Sequence, residues 1–434
     1  MTRRHDLDSL RVFAFALLIL YHVAMAYVDG WAFHLKSAYT AEWLQWPMIA
    51  LNRWRMPLLF MISGTALALS LPSQGRLVFA ARRSGRLLLP LLFGIAVVVA
   101  VQAYCEAVDK GDVAPGLGAF LLRYWQFRPW PGAHFVGADY GFTWNHLWYL
   151  AYLIPYSLLL IAAASALRPL RAWLPAGRPS DGLLVSAGLV LPVAWLAWAI
   201  LWLLPRYPPT HALVNDLYVH AESLPLFALG FVLARQPRCW ALMQRGRWCL
   251  LVLALAALAV ELGIRALGRL PGTTLGHVDP WLLALPWATT ERIGRAVYTW
   301  TALLAIFGWA RQWLDRPWAW LPYCREAVFS WYILHQTVLI VLLYLLRPLA
   351  LGPWQEPLLV VLGTFAGCLL IHELLVRRIG WLRPLFGLRR VTSPRTPRPA
   401  PSPHGPSTAA LPAGRAGRGC PTACSGAASA WWRR

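Results

Sequence analysis

Apolar residues in this chain come in long unbroken runs separated by short polar stretches. Val12 to Val28, Leu87 to Ala103, Leu183 to Leu204 and Cys249 to Leu262 are almost free of charge. A helix needs about 20 mostly apolar residues to cross a hydrocarbon core of ~30 Å. A soluble domain buries one or two such helices but does not string them together. The pattern predicts spans at 11–28, 56–71, 87–104, 145–166, 183–204, 222–234, 248–266, 296–312, 327–346 and 357–376. The sixth is short and contains Pro225. The expected fold is therefore an all-α polytopic membrane protein of about ten transmembrane helices.

Composition supports this reading. Of 434 residues, 58% are hydrophobic and 13% charged, against roughly 25% charged in a soluble domain. The net charge of +22 could suggest nucleic acid. The basic residues sit between apolar runs, however, and no nucleic-acid-binding motif is present. The expected partner is the lipid bilayer, with no nucleic acid.

The position of the charges predicts orientation. With a cytoplasmic N-terminus, the inner loops hold Arg76, Arg82, Arg83 and Arg86, then Arg168, Arg171 and Arg178, then Arg235, Arg238, Arg245 and Arg247, then Arg311, Arg316 and Arg325. Loop 105–144 falls outside and carries Glu106, Asp109, Asp112 and Asp139. Arg377, Arg378, Arg383, Arg389 and Arg390 follow the last span. Both termini are expected in the cytoplasm, which requires an even number of spans.

Arg3, Arg4 and Ala24-Met25-Ala26 resemble a signal peptide and its cleavage site. Asp6, Asp8 and Arg11 charge the front with both signs, and nine more spans follow, so cleavage is not expected. Residues 1–390 are expected to form the membrane domain. Pro, Ser, Arg, Gly and Ala dominate 391–434, a composition that predicts a disordered cytoplasmic tail. Seven cysteines are scattered without metal-ligand spacing, and Cys420 and Cys424 have no nearby histidine, so no metal site is expected. No internal repeat of the kind that marks many transporters is evident.

Ionisable groups inside spans are costly, and each is a functional candidate. Arg11 and His22 are eleven positions apart, and eleven steps of 100° return to within about 20° of the start. Both lie on one stripe, with His22 ~16 Å deeper than Arg11. His22 suits a general base, or is a histidine bonded to a neighbouring helix. Asp8, one turn before Arg11, could pair with it. Arg83 and Arg86, beside Arg82, open the third span on the inner side and suit phosphate oxygens, or are an ordinary positive-inside cluster.

His146 begins the fourth span among aromatic residues on the outer side. Glu326 and His335 are nine positions apart and lie on opposite faces, so they need not form a dyad. Ser63-Gly64 most simply permits close helix contact. His211, Asp216, His220 and Glu222 form an outer loop cluster that could touch a polar acceptor, or is only solvated. The main rival to an enzyme is a transporter or flippase whose path these residues line.

Taken together, these segments resemble acyltransferase family 3. The resemblance rests on Leu7-Asp8-Ser9-Leu10-Arg11 followed by ten residues and His22; on Met56-Pro57-Leu58-Leu59-Phe60-Met61-Ile62-Ser63-Gly64; on Arg83-Ser84-Gly85-Arg86 with Leu89-Pro90; and on His146-Leu147-Trp148-Tyr149-Leu150. Glu326 to Val338 and Arg383-Pro384-Leu385-Phe386-Gly387 are similar to the glucans biosynthesis protein C branch, from which Ser330, where that branch has Pro, departs. The likeness covers roughly residues 5–390.

It implies an O-acyltransferase that moves an acyl group, acetyl or succinyl, from a cytoplasmic acyl-CoA to a hydroxyl of an outward-facing carbohydrate in a bacterial inner membrane. No bound cofactor is implied; acyl-CoA is a substrate. His22 would deprotonate the acceptor. Arg11, Arg83 and Arg86 would hold donor phosphates or stabilise oxyanion charge. His146, Glu326 and His335 would line the acceptor side or pore.

Overall fold

Each of the ten expected spans falls on a helix in the computed structural model, which describes residues 4–166, 180–267 and 286–389. The segment 391–434, expected to be a disordered tail, lies outside the described residues. The helices that matter here are α1 (His5–Tyr27), α2 (Gln45–Ser70), α3 (Arg76–Phe93), α4 (Ala100–Asp109), α5 (Leu117–Tyr124), α6 (Trp148–Ala166) and α7 (Asp181–Trp198). They are followed by α8 (Leu217–Leu233), α9 (Pro237–Arg245), α10 (Arg247–Leu267), α11 (Trp287–Trp313), α12 (Leu321–Leu346) and α13 (Gln355–Ile371). No strand occurs among the described residues; an isolated bridge joins Val28 to Ala41.

The protein is an all-α polytopic membrane protein. Among the described residues, seven helices are long and apolar enough to cross a bilayer by length and composition: His5–Tyr27, Arg76–Asp109, Asn145–Ser165, Asp181–Leu203, Arg247–Leu267, Leu321–Leu349 and Gln355–Val376. Leu217–Leu233 with Pro237–Arg245 makes an eighth if the pair, bent by 106°, is one span. The bend follows from sequence, because Pro237 cannot continue the helix before it. The two remaining long helices, α2 and α11, carry more polar residues, including Arg53 and Arg55 on one and Glu291, Arg292 and Arg295 on the other.

The chain from α3 to α4 is one long helix interrupted by a π-helical stretch at Gly94–Val99. Pro90, four residues upstream, removes one backbone donor and loosens the ladder there. A Cβ on Gly94 would stand 2.3 Å from Leu147 Cδ1, so a larger residue there would require the Leu147 side chain to shift. The bulge carries Gln102 to the centre of the bundle.

Close packing of α2 on α8 sets the other wall. A Cβ on Gly64 would lie 1.9 Å from the Phe227 carbonyl oxygen, and one on Gly230 would lie 2.1 Å from that of Met61. Thr65 Oγ1 donates to the Gly230 carbonyl at 2.9 Å across the same seam. Gly64 on α2 and Gly230 on α8 thus each let the partner backbone approach closely. Gly64→Leu is expected to cost ~3 kcal/mol, the upper end of the usual range for overpacking, because backbone rather than a movable side chain is in the way. Gly263→Leu, with nothing within 4 Å of its Cβ position, should leave the melting temperature of the detergent-purified protein unchanged. Equal melting of the two variants would refute this account of the seam.

Ion pairs gather the helix ends into two sets. At one end Arg311 reaches Asp6 at 3.8 Å, Arg325 reaches Asp8 at 3.1 Å, and Arg377 and Arg383 reach Glu326 at 3.3 and 3.5 Å. The start of α1 and the last described segment therefore share an end, as the distribution of basic residues requires. At the other, His34 and Lys110 each meet Glu106 at 2.6 Å, and Arg347 meets Asp109. Lys36 caps the C-terminus of α1 by donating to the carbonyls of Met25 and Val28.

Candidate functional site

Three histidines from three helices meet in the bundle. His22 projects from α1, His146 from the turn before α6 and His335 from α12. His22 Nδ1 and His335 Nε2 are 2.8 Å apart, with the rings stacked at 5.0 Å and 21°. His146 meets the His335 ring edge-on at 4.9 Å.

The hydrogen bonds decide the tautomers. His335 Nδ1 lies 2.7 Å from the Tyr332 carbonyl and 3.2 Å from that of Trp331. Carbonyls only accept, so His335 carries its proton on Nδ1 and presents a bare Nε2. His22 must then donate from Nδ1, which leaves the lone pair on its Nε2. His146 Nε2 donates to the Ile333 carbonyl at 3.1 Å, and its Nδ1 faces the Gln102 amide at 3.4 Å. Both nitrogens of His146 and of His335 are engaged. His22 alone of the three keeps a free ring nitrogen, and its ring is half-buried against a cavity.

A polar web holds this group. Gln102 bonds Thr337 Oγ1 at 2.6 Å and accepts from Asn145 at 2.9 Å. Tyr332 donates to the His146 carbonyl at 2.6 Å. Because His335 is fully buried behind His22, it orients the ring that faces the cavity rather than lining the cavity itself.

The cavity has a volume of about 530 Å³. His22, His146, Arg55 and Gln336 form part of its wall, and Trp144 and Trp148 add aromatic faces. Thr143, Pro209 and His211 also line it. These belong to the 125–147 and 205–216 loops, so the cavity lies toward the end that carries the acidic loop. Burial holds the His211 imidazole below its usual range.

Arg11 and Arg83 lie toward the opposite end. Both guanidiniums act electrostatically on the Tyr149 hydroxyl, which bonds Ser63 at 2.6 Å and the Leu59 carbonyl at 2.9 Å. Arg83 also donates to Ser157 at 3.0 Å and is half-buried, whereas Arg86 is exposed. The expected joint projection of Arg83 and Arg86 is not what the structure shows: 60° of helical rotation puts one in the bundle and the other on its surface. Between Arg11 and His22, buried Phe15 and Tyr332 pack at 5.3 Å, and Tyr332 packs on Tyr149 at 6.2 Å.

Asp8 is engaged by Arg325. Glu326, at the far end of α12, is tied to Arg377 and Arg383 and does not meet His335, as the nine-residue spacing implies. Ser330 bonds buried His372 at 2.6 Å.

The outer cluster is not merely solvated. Asp216 is fully buried and accepts from the Tyr152 hydroxyl and the backbone amides of Thr210 and His211. His220 pairs with Tyr156 at 2.7 Å and the Leu213 carbonyl at 2.7 Å. These bonds pin the loop in which His211, Leu213 and Asn215 adopt positive φ, and so shape the cavity mouth. Glu222 enters the cavity wall, bonded by Tyr218, which in turn accepts from Arg295 at 2.7 Å.

Sequence reasoning missed Arg55 and Arg295. Arg55 falls one residue before the second expected span, and Arg295 one before the eighth; an arginine abutting a span on its outer side was the available signal. Among the described residues no group of three or more His, Cys, Asp or Glu side chains is arranged to hold a metal ion.

Curated proteins and solved structures give no match to this chain. The acyltransferase domain family matches residues 4–373, taking in His22, Arg55, Arg83, His146 and His335. The histidine group and its cavity thus lie in a helical bundle that this match covers nearly end to end, and the chain belongs to the acyltransferase domain family, as a membrane O-acyltransferase.

Proposed function

We propose that the protein transfers an acyl group, acetyl or succinyl, from a cytoplasmic acyl-CoA to a hydroxyl of a carbohydrate such as a glucan. The acceptor enters the 530 Å³ cavity from the periplasmic or extracellular face of a bacterial inner membrane. Both termini, and the Arg11 and Arg83 end, face the cytoplasm.

One observation carries the reading: the 2.8 Å His22–His335 bond, anchored by the 2.7 Å bond to the Tyr332 carbonyl. It gives His22 a bare Nε2 at a cavity wall, which is what a general base requires. Tryptophans beside polar side chains suit a sugar, whose faces are apolar and whose rim is hydroxyl.

In the reaction His22 Nε2 takes the proton of the acceptor hydroxyl. The oxygen attacks the thioester carbonyl carbon, forming a C–O bond while the carbonyl electron pair moves onto oxygen. Collapse of that oxyanion breaks the C–S bond. The coenzyme thiolate then takes the proton back from His22, and ester and free thiol result. His335 stabilises the transient imidazolium by accepting from its Nδ1. Arg11 and Arg83, cationic and inward-facing, hold donor phosphates at the inner mouth, while exposed Arg86 contributes to capture at the surface.

Purified protein in vesicles, supplied with acetyl- or succinyl-CoA and a glucan, is expected to release free thiol in step with ester formation. Arg83→Ala should raise the apparent KM for the donor roughly ten- to a hundredfold, with kcat little changed, since a charge-assisted contact is worth about 1.5–3 kcal/mol. Arg86→Ala should raise it less. Sugar flux with the thioester intact would mean a transporter instead.

A further inference from the structure

The wall of the cavity includes the cation of Arg55. Arg55, on α2, is 8% exposed and stacks on the Tyr21 ring with its guanidinium carbon 3.6 Å from the ring centroid. Tyr21 precedes His22, and the two rings meet edge-on at 6.0 Å. Tyr21, His22 and Arg55 share the cavity wall.

Arg55 differs from the other buried arginines on this side. Arg53 is paired by Glu261 at 2.6 Å; Arg295 has one unpartnered nitrogen, Nε, but is bonded to the Tyr218 hydroxyl that reaches Glu222. Two residues apart on a helix, Arg53 and Arg55 project about 160° apart, so Arg55 alone turns toward α1. Arg55 donates one long hydrogen bond, 3.4 Å from Nη2 to Asn52 Oδ1. Nε and Nη1 are buried with no partner. Two unpartnered nitrogens on one buried guanidinium set Arg55 apart from the other described arginines, which leave only Nε buried and unpartnered where they leave any. A planar fork of N–H donors beside a general base, with no carboxylate to neutralise it, is complementary to an anion that exists only during reaction.

We infer that Arg55 is the oxyanion-stabilising residue of the acyl transfer, donating to the thioester carbonyl oxygen as it becomes negative next to His22. This rests on the acyl-transfer reading and assigns the charge on the carbonyl oxygen to Arg55, leaving Arg11 and Arg83 to the donor's phosphates. The carbonyl's electron pair moves onto oxygen at attack, is held by Arg55, and returns when the C–S bond breaks, so Arg55 exchanges no proton.

The test compares wild type, Arg55→Ala, Arg55→Gln and Arg55→Lys in the free-thiol assay, with melting temperatures as the folding control. If wild type releases no thiol, the acyl-transfer reading itself fails, whatever Arg55 does. With wild type active, Arg55→Ala is expected to lose about a hundred- to a thousandfold in kcat, as removal of an oxyanion donor does elsewhere. KM for donor and acceptor should stay within about threefold, by the rule that a contact made only in the transition state lowers kcat. Added guanidinium ion should restore part of the Arg55→Ala rate. Arg55→Lys keeps the charge over Tyr21 but not the fork, and should lose at least about tenfold. A wild-type kcat in folded Arg55→Ala or Arg55→Gln, a KM rise alone, or no response to guanidinium overturns the inference. Failure of all three variants to fold would make Arg55 a structural residue and overturn it equally.

Discussion

His22→Ala is expected to abolish acyl transfer, by about 10²–10⁴-fold, while expression, membrane insertion and melting temperature stay near wild type. The rate loss is the range that general-base assistance supplies. The stability should hold because His22 is half-buried against a cavity rather than locked in the core. Its one hydrogen bond is to His335 Nε2, and cavity water can replace that donor. Thiol release in vesicles and size-exclusion melting curves measure the two quantities. An inactive variant that is also unfolded would return His22 to a packing role. Conversely, a folded variant at wild-type rate would remove the base from the mechanism.

Glu261→Leu should produce the largest loss of stability. Glu261 is fully buried and accepts from Arg53 Nε at 2.8 Å and Nη2 at 2.6 Å, with Arg265 Nε at 3.6 Å. Removing one partner of a buried ion pair leaves an uncompensated charge and costs about 3–5 kcal/mol. Arg265 keeps Glu291, so the burden falls on Arg53, tying α2 to α10. The double variant Glu261→Leu/Arg53→Leu should recover most of the loss, since apolar pairs of similar volume often replace buried ion pairs without penalty. If the double variant melts no higher than the single one, the loss comes from packing and not from the stranded charge.

Much of the bundle was legible in the sequence. Apolar runs must be helices in lipid, because every backbone polar group has to be satisfied internally. The Arg11–His22 stripe, the glycine at position 64 and the separation of Glu326 from His335 follow from helical geometry alone. Periodicity shows which residues share a face but not which face meets which neighbour. The His22–His335 bond joins residues 313 positions apart, and no spacing rule reaches that far.

In the sequence Arg83 and Arg86 look like a pair because they are adjacent on a helical wheel. At the rim of a bundle, that small angle is enough to separate inside from outside. Asp216 and His220 looked solvated because they stand in a polar stretch. Tyr152 and Tyr156, four residues apart on α6, receive them instead. Arg55 escaped notice because it stands just outside an apolar run, where an arginine is usually an interfacial anchor.

The buried ring layer of Phe15, Tyr149 and Tyr332 has a consequence for the cell as well as for the enzyme. On the proposed topology, the cavity opens toward one side and Arg11 and Arg83 lie toward the other, with these rings between them. Were both ends wet together, the bare nitrogen of His22 and the chain of imidazoles behind it would be a ready wire for protons, and the membrane would discharge through its own enzyme. On the proposed reading, an acyl group that crosses the membrane has to pass these rings, and the two sides would have to open to it in turn.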